Sequence, residues 1–114
     1  MGNLTLQEKA IFTVNVEDTA FEALEKIELN KYGTVIVLKG EKVVGTLSDG
    51  DIRKILLSHH MLTIPVRKVM NQNFSSILKG QDSIGNEIFK SSFFIRLLPV
   101  VDQLGNLQGL MKRT

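Results

Sequence analysis

Residues 42–54 read KVVGTLSDGDIRK, a strand that runs directly into a helix. The apolar segment Val43–Leu47 favours a strand, and Ser48–Gly50 favours a turn or a helix cap. Ile52 and Ile55 then begin a helical spacing. The free N–H groups and partial positive charge of a helix N-terminus suit a phosphate group. The junction is therefore the candidate site from which we interpret the rest of the chain.

The composition is that of a small globular chain without covalent cross-links. It has 114 residues, 43% of them hydrophobic, and no cysteine, which excludes disulfides and cysteine-ligated metals. No apolar run is long enough to cross a membrane, and the N-terminus lacks the pattern of a signal peptide. The net charge is +2, and the basic residues are scattered among acidic ones. We therefore expect a cytoplasmic protein with no nucleic-acid partner and no membrane partner.

The pattern on both sides of the junction predicts a unit of strand, helix, strand, strand and helix. Thr19-x-x-Glu22 fits a capping box, which places the start of the first helix at Thr19. The expected elements are a polar arm at 1–10, a strand at 11–14, a helix from Thr19 to Gly33, strands at 34–38 and 43–47, and a helix from Ser48 to about residue 59.

The same pattern returns after a linker, at a constant offset of about 64 residues and without a gap. Asp18 then corresponds to Asp82, and Gly45 corresponds to Gly109. The second copy stops before its last helix, which predicts an uncovered apolar surface and favours a homodimer. We therefore expect an α+β fold with two units, residues 1–68 and residues 69–114.

The repeat and its motif resemble the cystathionine-β-synthase (CBS) domain, which occurs in tandem pairs. Gly45, Ser48 and Asp51 fill the positions of its glycine, hydroxyl and aspartate signature. Met70-Asn71 resembles the start of a second copy, and Leu98–Asp102 resembles a strand of that copy. The resemblance implies tandem β-α-β-β-α repeats whose small sheets pack together, with the last helix of the second repeat missing.

The resemblance also implies a ligand, an adenosine-containing compound such as AMP, ADP, ATP or adenosine, and no required cofactor. Asp51 would accept hydrogen bonds from the ribose, Ser48 would bind a phosphate, and Gly45 would allow close approach of the backbone. Arg53 would add a phosphate contact. The residues implied to wall the base are Phe12, Thr13, Val14, Tyr32, Gly33, Thr34 and Val35.

A purely structural interpretation explains the same residues. Ser48-x-x-Asp51 before an apolar run is itself a capping box, so the motif needs no ligand. Lys112 stands where the second copy would carry its hydroxyl, so at most one specific cleft is expected. Lys112 and Arg113 are interpreted as solvated charges. Neither the adjacent pair His59-His60 nor Asp49 with Asp51 makes a convincing metal site, and no arrangement of residues suits a catalytic nucleophile.

The finer resemblance concerns the parent protein. Residues 45–54, followed by Val69–Asn73, resemble the CBS pairs that precede sugar-phosphate nucleotidyltransferase domains. A chain that starts at Met1 and stops within a repeat fits an N-terminal regulatory piece of such a protein, with a catalytic domain after it. Sugar-phosphate isomerases, in which the pair is C-terminal, are the alternative parent. The expected function is regulatory and not catalytic, and a structural dimerisation module without a ligand is the other alternative.

Overall fold

The computed structural model describes residues 4–114, which form four α-helices, one short 3-10 helix and six strands. In chain order these are α1 (Leu6–Phe12), β1 (Thr13–Asn15), α2 (Ala20–Asn30), β2 (Thr34–Lys39), β3 (Lys42–Ser48), α3 (Asp49–Leu57), the 3-10 helix Val66–Lys68, β4 (Ile77–Leu78), α4 (Asp82–Ser91), β5 (Leu97–Val101) and β6 (Leu107–Lys112).

The strands form two three-stranded sheets of the same design. The first has the order β1-β2-β3 and the second the order β4-β5-β6. In each sheet the first pair of strands is parallel and the second pair is antiparallel. This confirms the predicted α+β architecture of two repeats, in which the second repeat has no helix after β6 within the described residues.

The two hairpins differ by one residue, so the prediction of an offset without a gap was wrong. Val37 pairs with Gly45 in the first sheet, and Val100 pairs with Gly109 in the second. The two glycines are separated by the predicted offset of 64 residues, but the two valines are separated by one residue fewer. Between equivalent pairs, the hairpin of β5 and β6 is therefore one residue longer than the hairpin of β2 and β3. This shifts β5 by one residue relative to the alignment of the two repeats.

Helix α1 occupies the segment that the sequence predicted as a polar arm. A capping box begins it, because Glu8 N–H donates to Thr5 Oγ1 over 3.0 Å and Thr5 N–H donates to Glu8 Oε1 over 3.2 Å. Phe12, expected in the first strand, is the last residue of this helix and is buried. Strand β1 accordingly starts only at Thr13.

Helix α2 begins at the predicted capping box but ends earlier than expected. The hydroxyl of Thr19 accepts from the backbone of Glu22, as the motif indicates. The helix stops at Asn30 because Lys31 adopts a left-handed conformation with a φ of 66°. Gly33, which also has a positive φ, instead starts the turn into β2.

The two repeats meet along a seam that relates them by an approximate two-fold axis. Val43 N–H donates to the carbonyl of Gly105 over 3.0 Å, and Leu107 N–H donates to the carbonyl of Glu41 over 2.9 Å. Because Leu107 is the repeat partner of Val43, these two hydrogen bonds are symmetric. A buried cluster from both repeats lies beneath them: Phe12, Ile36, Leu38, Val43, Leu97, Val101 and Leu107.

The core of the second repeat is closed without a final helix. Ile77, Leu98 and Val100 are buried. The guanidinium of Arg113 covers the end of α4, where it donates to the carbonyls of Phe89, Ser92 and Ile95. Ile84, Phe93, Phe94 and Leu104 of the second repeat are exposed apolar side chains. None of the helices in residues 4–114 is long and apolar enough to cross a bilayer.

Candidate functional site

A cleft of about 620 Å³ lies between the repeats, at the N-terminus of α3. The first repeat contributes the turn before β2, residues of β3 and the first turns of α3. The second contributes the linker at 71–75 and the loop that enters β5. The lining residues are Tyr32, Gly33, Thr34, Thr46, Ser48, Asp49, Gly50, Asp51, Lys54, Asn71, Asn73, Phe74, Ser75, Phe94, Ile95, Arg96, Leu97 and Leu98.

Ser48 and Asp51 form a complete capping box at the mouth of this cleft. Ser48 N–H and Ser48 Oγ–H both donate to Asp51 Oδ2, over 2.9 and 3.1 Å. Asp51 N–H lies 3.2 Å from Ser48 Oγ. These contacts use one carboxylate oxygen of Asp51, which leaves Oδ1 as an acceptor for a ligand hydroxyl. The structural interpretation of the motif is thus geometrically satisfied, and the same side chains also face the cleft.

The structure brings four of the nine predicted nucleotide-binding residues into the lining: Gly33, Thr34, Ser48 and Asp51. Thr13, Val14 and Val35 are buried, and Val14 and Val35 belong to a core cluster with residues of α2 and α3. Arg53 is exposed on α3 and lies outside the lining. Phe12, also expected at the base, packs in the seam cluster.

Gly45 allows a close approach of the linker. A β-carbon at this position would lie 2.8 Å from Met70 Sδ and 3.0 Å from the carbonyl oxygen of Asn71. Thr46 and Asn71 exchange two backbone hydrogen bonds next to it, at 2.8 and 3.1 Å. The glycine therefore holds the linker that forms one wall of the cleft, and it does not line the cleft itself.

Arg96 is the main lining residue that the sequence did not single out. Its Nη2 donates to the carbonyl oxygen of Lys31 over 3.2 Å, and its guanidinium lies 5.7 Å from the ring centre of Tyr32. Arg96 directly precedes β5, as Gly33 directly precedes β2. The sequence did contain a signal for this residue, because its charged side chain directly precedes the wholly apolar strand Leu97–Val101. Only the fold shows that it faces the first repeat.

The symmetry-related position in the second repeat is closed by α1. Lys112 Nζ pairs with Glu8 Oε2 over 3.1 Å and lies 4.9 Å from the ring centre of Phe12. The backbone of Thr5 and this lysine lower the pKa of Glu8 below its usual value. Lys112 and Arg113 are thus held by internal partners, so their interpretation as solvated charges was wrong.

The described part of the chain contains no group of three or more histidine or acidic side chains that could hold a metal ion. Asp49 and Asp51 are adjacent carboxylates on the first turn of α3, and the capping box uses Asp51. The chemistry that this cleft supports is the binding of hydroxyl groups by carboxylates and of an anion by Arg96 and the helix N-terminus.

Comparison with known proteins finds a family model that matches the first repeat. Residues 6–58 match the family model of the CBS domain. Arabinose 5-phosphate isomerase GutQ of Salmonella typhi is 30% identical over 108 residues, which is 94% of this chain and 34% of that relative. The chain thus spans about a third of the length of the curated relatives that it matches.

Solved structures share the fold of the whole chain. The CBS domain protein PAE2072 from Pyrobaculum aerophilum, complexed with AMP, has a TM-score of 0.74 at 19% identity, covering 89% of this chain and 79% of that one. The CBS domain pair of protein MJ0100, in complex with 5′-methylthioadenosine and S-adenosyl-L-methionine, has a TM-score of 0.70 at 19% identity, covering 89% and 83%. At these identities the likeness concerns the fold alone.

Proposed function

Because residues 6–58 match the CBS domain and the whole chain has the fold of a CBS domain pair, we propose that it is a regulatory module that binds an adenosine nucleotide in the Ser48/Asp51 cleft. The module itself is not an enzyme. Its ligand favours one arrangement of the two repeats, and it acts on a catalytic partner through its differential affinity for two states.

The observation that supports this proposal best is the position of the α3 N-terminus. Its capping box faces an inter-repeat cleft of about 620 Å³, within the usual range of small-ligand sites. Asp51 Oδ1 is available for a ribose hydroxyl, and Ser48 and the helix N-terminus favour a phosphate. Tyr32 and Phe74 supply apolar surface for a base on the same walls.

The ligands of the structural neighbours agree in one chemical group. The PAE2072 structure contains AMP, and the MJ0100 structure contains 5′-methylthioadenosine and S-adenosyl-L-methionine. All three contain adenosine. We therefore propose an adenosine compound for this chain, with its ribose at Asp51.

Isothermal titration calorimetry with AMP, ADP, ATP, adenosine and S-adenosyl-L-methionine tests the proposal. We expect saturable binding of at least one compound at a ratio of one per chain, and a ligand-dependent rise in melting temperature. Folded protein that gives no binding heat for any of them at millimolar concentration would contradict the proposal.

Comparing the variant Asp51→Ala with a capping control separates ligand binding from helix capping. It removes both the ribose acceptor and the capping carboxylate, so its control must lose a cap without touching the cleft. Glu22→Ala removes the same kind of carboxylate from the capping box of α2. We expect both variants to lose about 0.5–2 kcal/mol of stability, and only Asp51→Ala to lose nucleotide affinity.

For the parent protein, the comparisons favour the isomerase alternative over the nucleotidyltransferase. The supporting observation is the match to arabinose 5-phosphate isomerase GutQ across 94% of this chain. We propose that the module regulates a cytoplasmic enzyme of sugar-phosphate metabolism, with a sugar-phosphate isomerase as the first candidate. The activity of the natural full-length protein on sugar phosphates, measured with and without nucleotide, tests this. If the full-length protein instead had nucleotidyltransferase activity, a sugar-phosphate nucleotidyltransferase would become the first candidate for the parent protein.

Self-association is a second proposed property. Leu56, Leu57 and Met61, which are close together in sequence around the end of α3, are more than half exposed. A face of this kind favours a homodimer, which would also serve the alternative function of a structural module. Light scattering after size-exclusion chromatography tests it, and a monomer at high micromolar concentration would contradict it.

A further inference from the structure

The charges that line the cleft are balanced. In the part of the chain that the structure describes, the charged lining residues are two carboxylates, Asp49 and Asp51, and two cations, Lys54 and Arg96. A cleft for polyphosphates would carry an excess of cations, because each added phosphate brings further negative charge. The equal numbers of carboxylates and cations in the lining therefore favour a ligand with few phosphate groups.

Asp49 and Arg96 both lie beside Gly33. Asp49 Oδ2 lies 3.2 Å, and Arg96 Nη1 lies 3.8 Å, from the point where a β-carbon on Gly33 would be. The two charged groups are thus at most about 7 Å apart, and no ion pair joins them among residues 4–114. Because Gly33 has no side chain, no β-carbon occupies the point that lies close to both groups.

Asp49 also occupies the first position of α3, directly after the capping residue Ser48. A phosphate bound by Ser48 and the helix N-terminus therefore has the Asp49 carboxylate as a neighbour. Lys54 and Arg96 are the two lining cations that can contact a phosphate, and because the lining charges already sum to zero, every phosphate adds net negative charge to the cleft. A second or third phosphate adds negative charge beside Asp49, with no further cation among the described lining residues.

We propose that the cleft prefers an adenosine nucleotide with one phosphate to those with two or three, and that Asp49 is the residue that sets this preference. The proposal rests on the proposed function, because it requires that an adenosine nucleotide binds at Ser48 and Asp51. It adds the class of nucleotide and assigns a specificity-determining role to a residue that the motif does not include.

The test compares AMP, ADP, ATP and adenosine by calorimetry on wild type and Asp49→Asn, in buffer without divalent cations. For the wild type we expect AMP to bind about tenfold or more tightly than ATP. In Asp49→Asn the ATP affinity should rise about tenfold, the AMP affinity should rise less, and the adenosine affinity should stay the same. Salt near 1 M should narrow the wild-type preference, because it screens exposed charges.

The matched control is Asp82→Asn, which removes an acidic residue from the first turn of α4, away from the cleft. It should leave all four affinities unchanged. Equal AMP and ATP affinities in the wild type, or an unchanged ratio in Asp49→Asn, would overturn the preference while leaving the proposed function intact. Absence of binding by all four compounds would overturn both.

Discussion

Ser48 and Asp51 make contacts that serve the fold before any ligand is considered. Their reciprocal hydrogen bonds satisfy backbone donors at the start of α3. A cap of this kind contributes about 0.5–2 kcal/mol. Asp51 Oδ1 takes no part in the capping hydrogen bonds, so the stabilising and the binding interpretations do not exclude each other. The effect of substituting either residue must therefore be compared with the effect of removing a helix cap elsewhere in the protein.

Gly45 provides a prediction about stability at the residue scale. Gly45→Ala should destabilise the protein by about 1–3 kcal/mol, because its β-carbon would meet Met70 and Asn71 at 3.0 Å or less. Gly50→Ala is the control. Gly50 lies in α3 and a β-carbon there has only an ordinary contact at 3.7 Å, so alanine should stabilise by up to about 1 kcal/mol.

Equilibrium denaturation in urea measures both free energies of unfolding. The nucleotide affinity of Gly45→Ala should also fall, because the displaced linker forms one wall of the cleft. A Gly45→Ala protein as stable as the wild type would show that the linker moves aside at no cost, and would contradict the packing argument.

At the scale of elements, α1 contacts the second repeat through an ion pair, a cation–ring contact and the buried seam cluster. Glu8 and Lys112 are each about one-third exposed, so this pair is worth about 0.2–1 kcal/mol. Lys112 also lies over Phe12, the buried last residue of α1. The contact closes the position that corresponds to the first cleft, so the second repeat presents no equivalent of the Ser48/Asp51 site.

The hydrogen bond from the Thr5 backbone and, after it, the contact with Lys112 lower the pKa of Glu8, and this predicts how the stability that these contacts provide depends on pH. Its pKa in the folded protein lies below the ordinary 4.5, so its contribution is present above about pH 4.5 and is lost as the pH falls through the folded value. Glu8→Gln keeps the capping hydrogen bond but removes the charge. It should therefore be less stable than wild type at pH 7 and equally stable near pH 2.

Glu22→Gln is the control for this pH dependence, because Glu22 forms the same capping box in α2 without a lysine partner among the described residues. Thermal unfolding followed by circular dichroism between pH 2 and pH 7 provides the measurement. A gap between Glu8→Gln and wild type that stays constant over this range would contradict the electrostatic explanation.

At the scale of the molecule, the seam between the repeats predicts that they unfold together. Leu38 belongs to the seam cluster and is 4% exposed. Leu38→Ala should cost about 2–5 kcal/mol and should lower the hydrogen-exchange protection of β5 in the other repeat. Leu104→Ala, at a residue that is 76% exposed, should change stability by less than about 0.5 kcal/mol.

Amide hydrogen exchange by NMR distinguishes cooperative from independent repeats. A single unfolding transition, with protection lost equally in β2 and β5, is the expected outcome. Protection of β5 that survives Leu38→Ala unchanged would mean that the second repeat is stable by itself, and would contradict a shared core.

The sequence by itself determined the repeat, the order of its elements and the capping boxes at Thr19 and Ser48. These features depend on local patterns, since alternation, helical spacing and the S/T-x-x-D/E motif act within a few residues. It did not predict α1, although Thr5-x-x-Glu8 fits the same capping motif, because this helix is only seven residues long and is also held by contacts distant in sequence, with Lys112 and with the seam around Phe12.

Only the tertiary structure decided which residues share the cleft. Thr13, Val14 and Val35 are buried within the first repeat, Val14 and Val35 among residues of α2 and α3, whereas Arg96 reaches the cleft from the other repeat. The extra residue in the β5–β6 turn was also visible only from strand pairing. The physical reason is that packing between elements distant in sequence decides which side chains are buried and which line the cleft, and no local pattern specifies that packing.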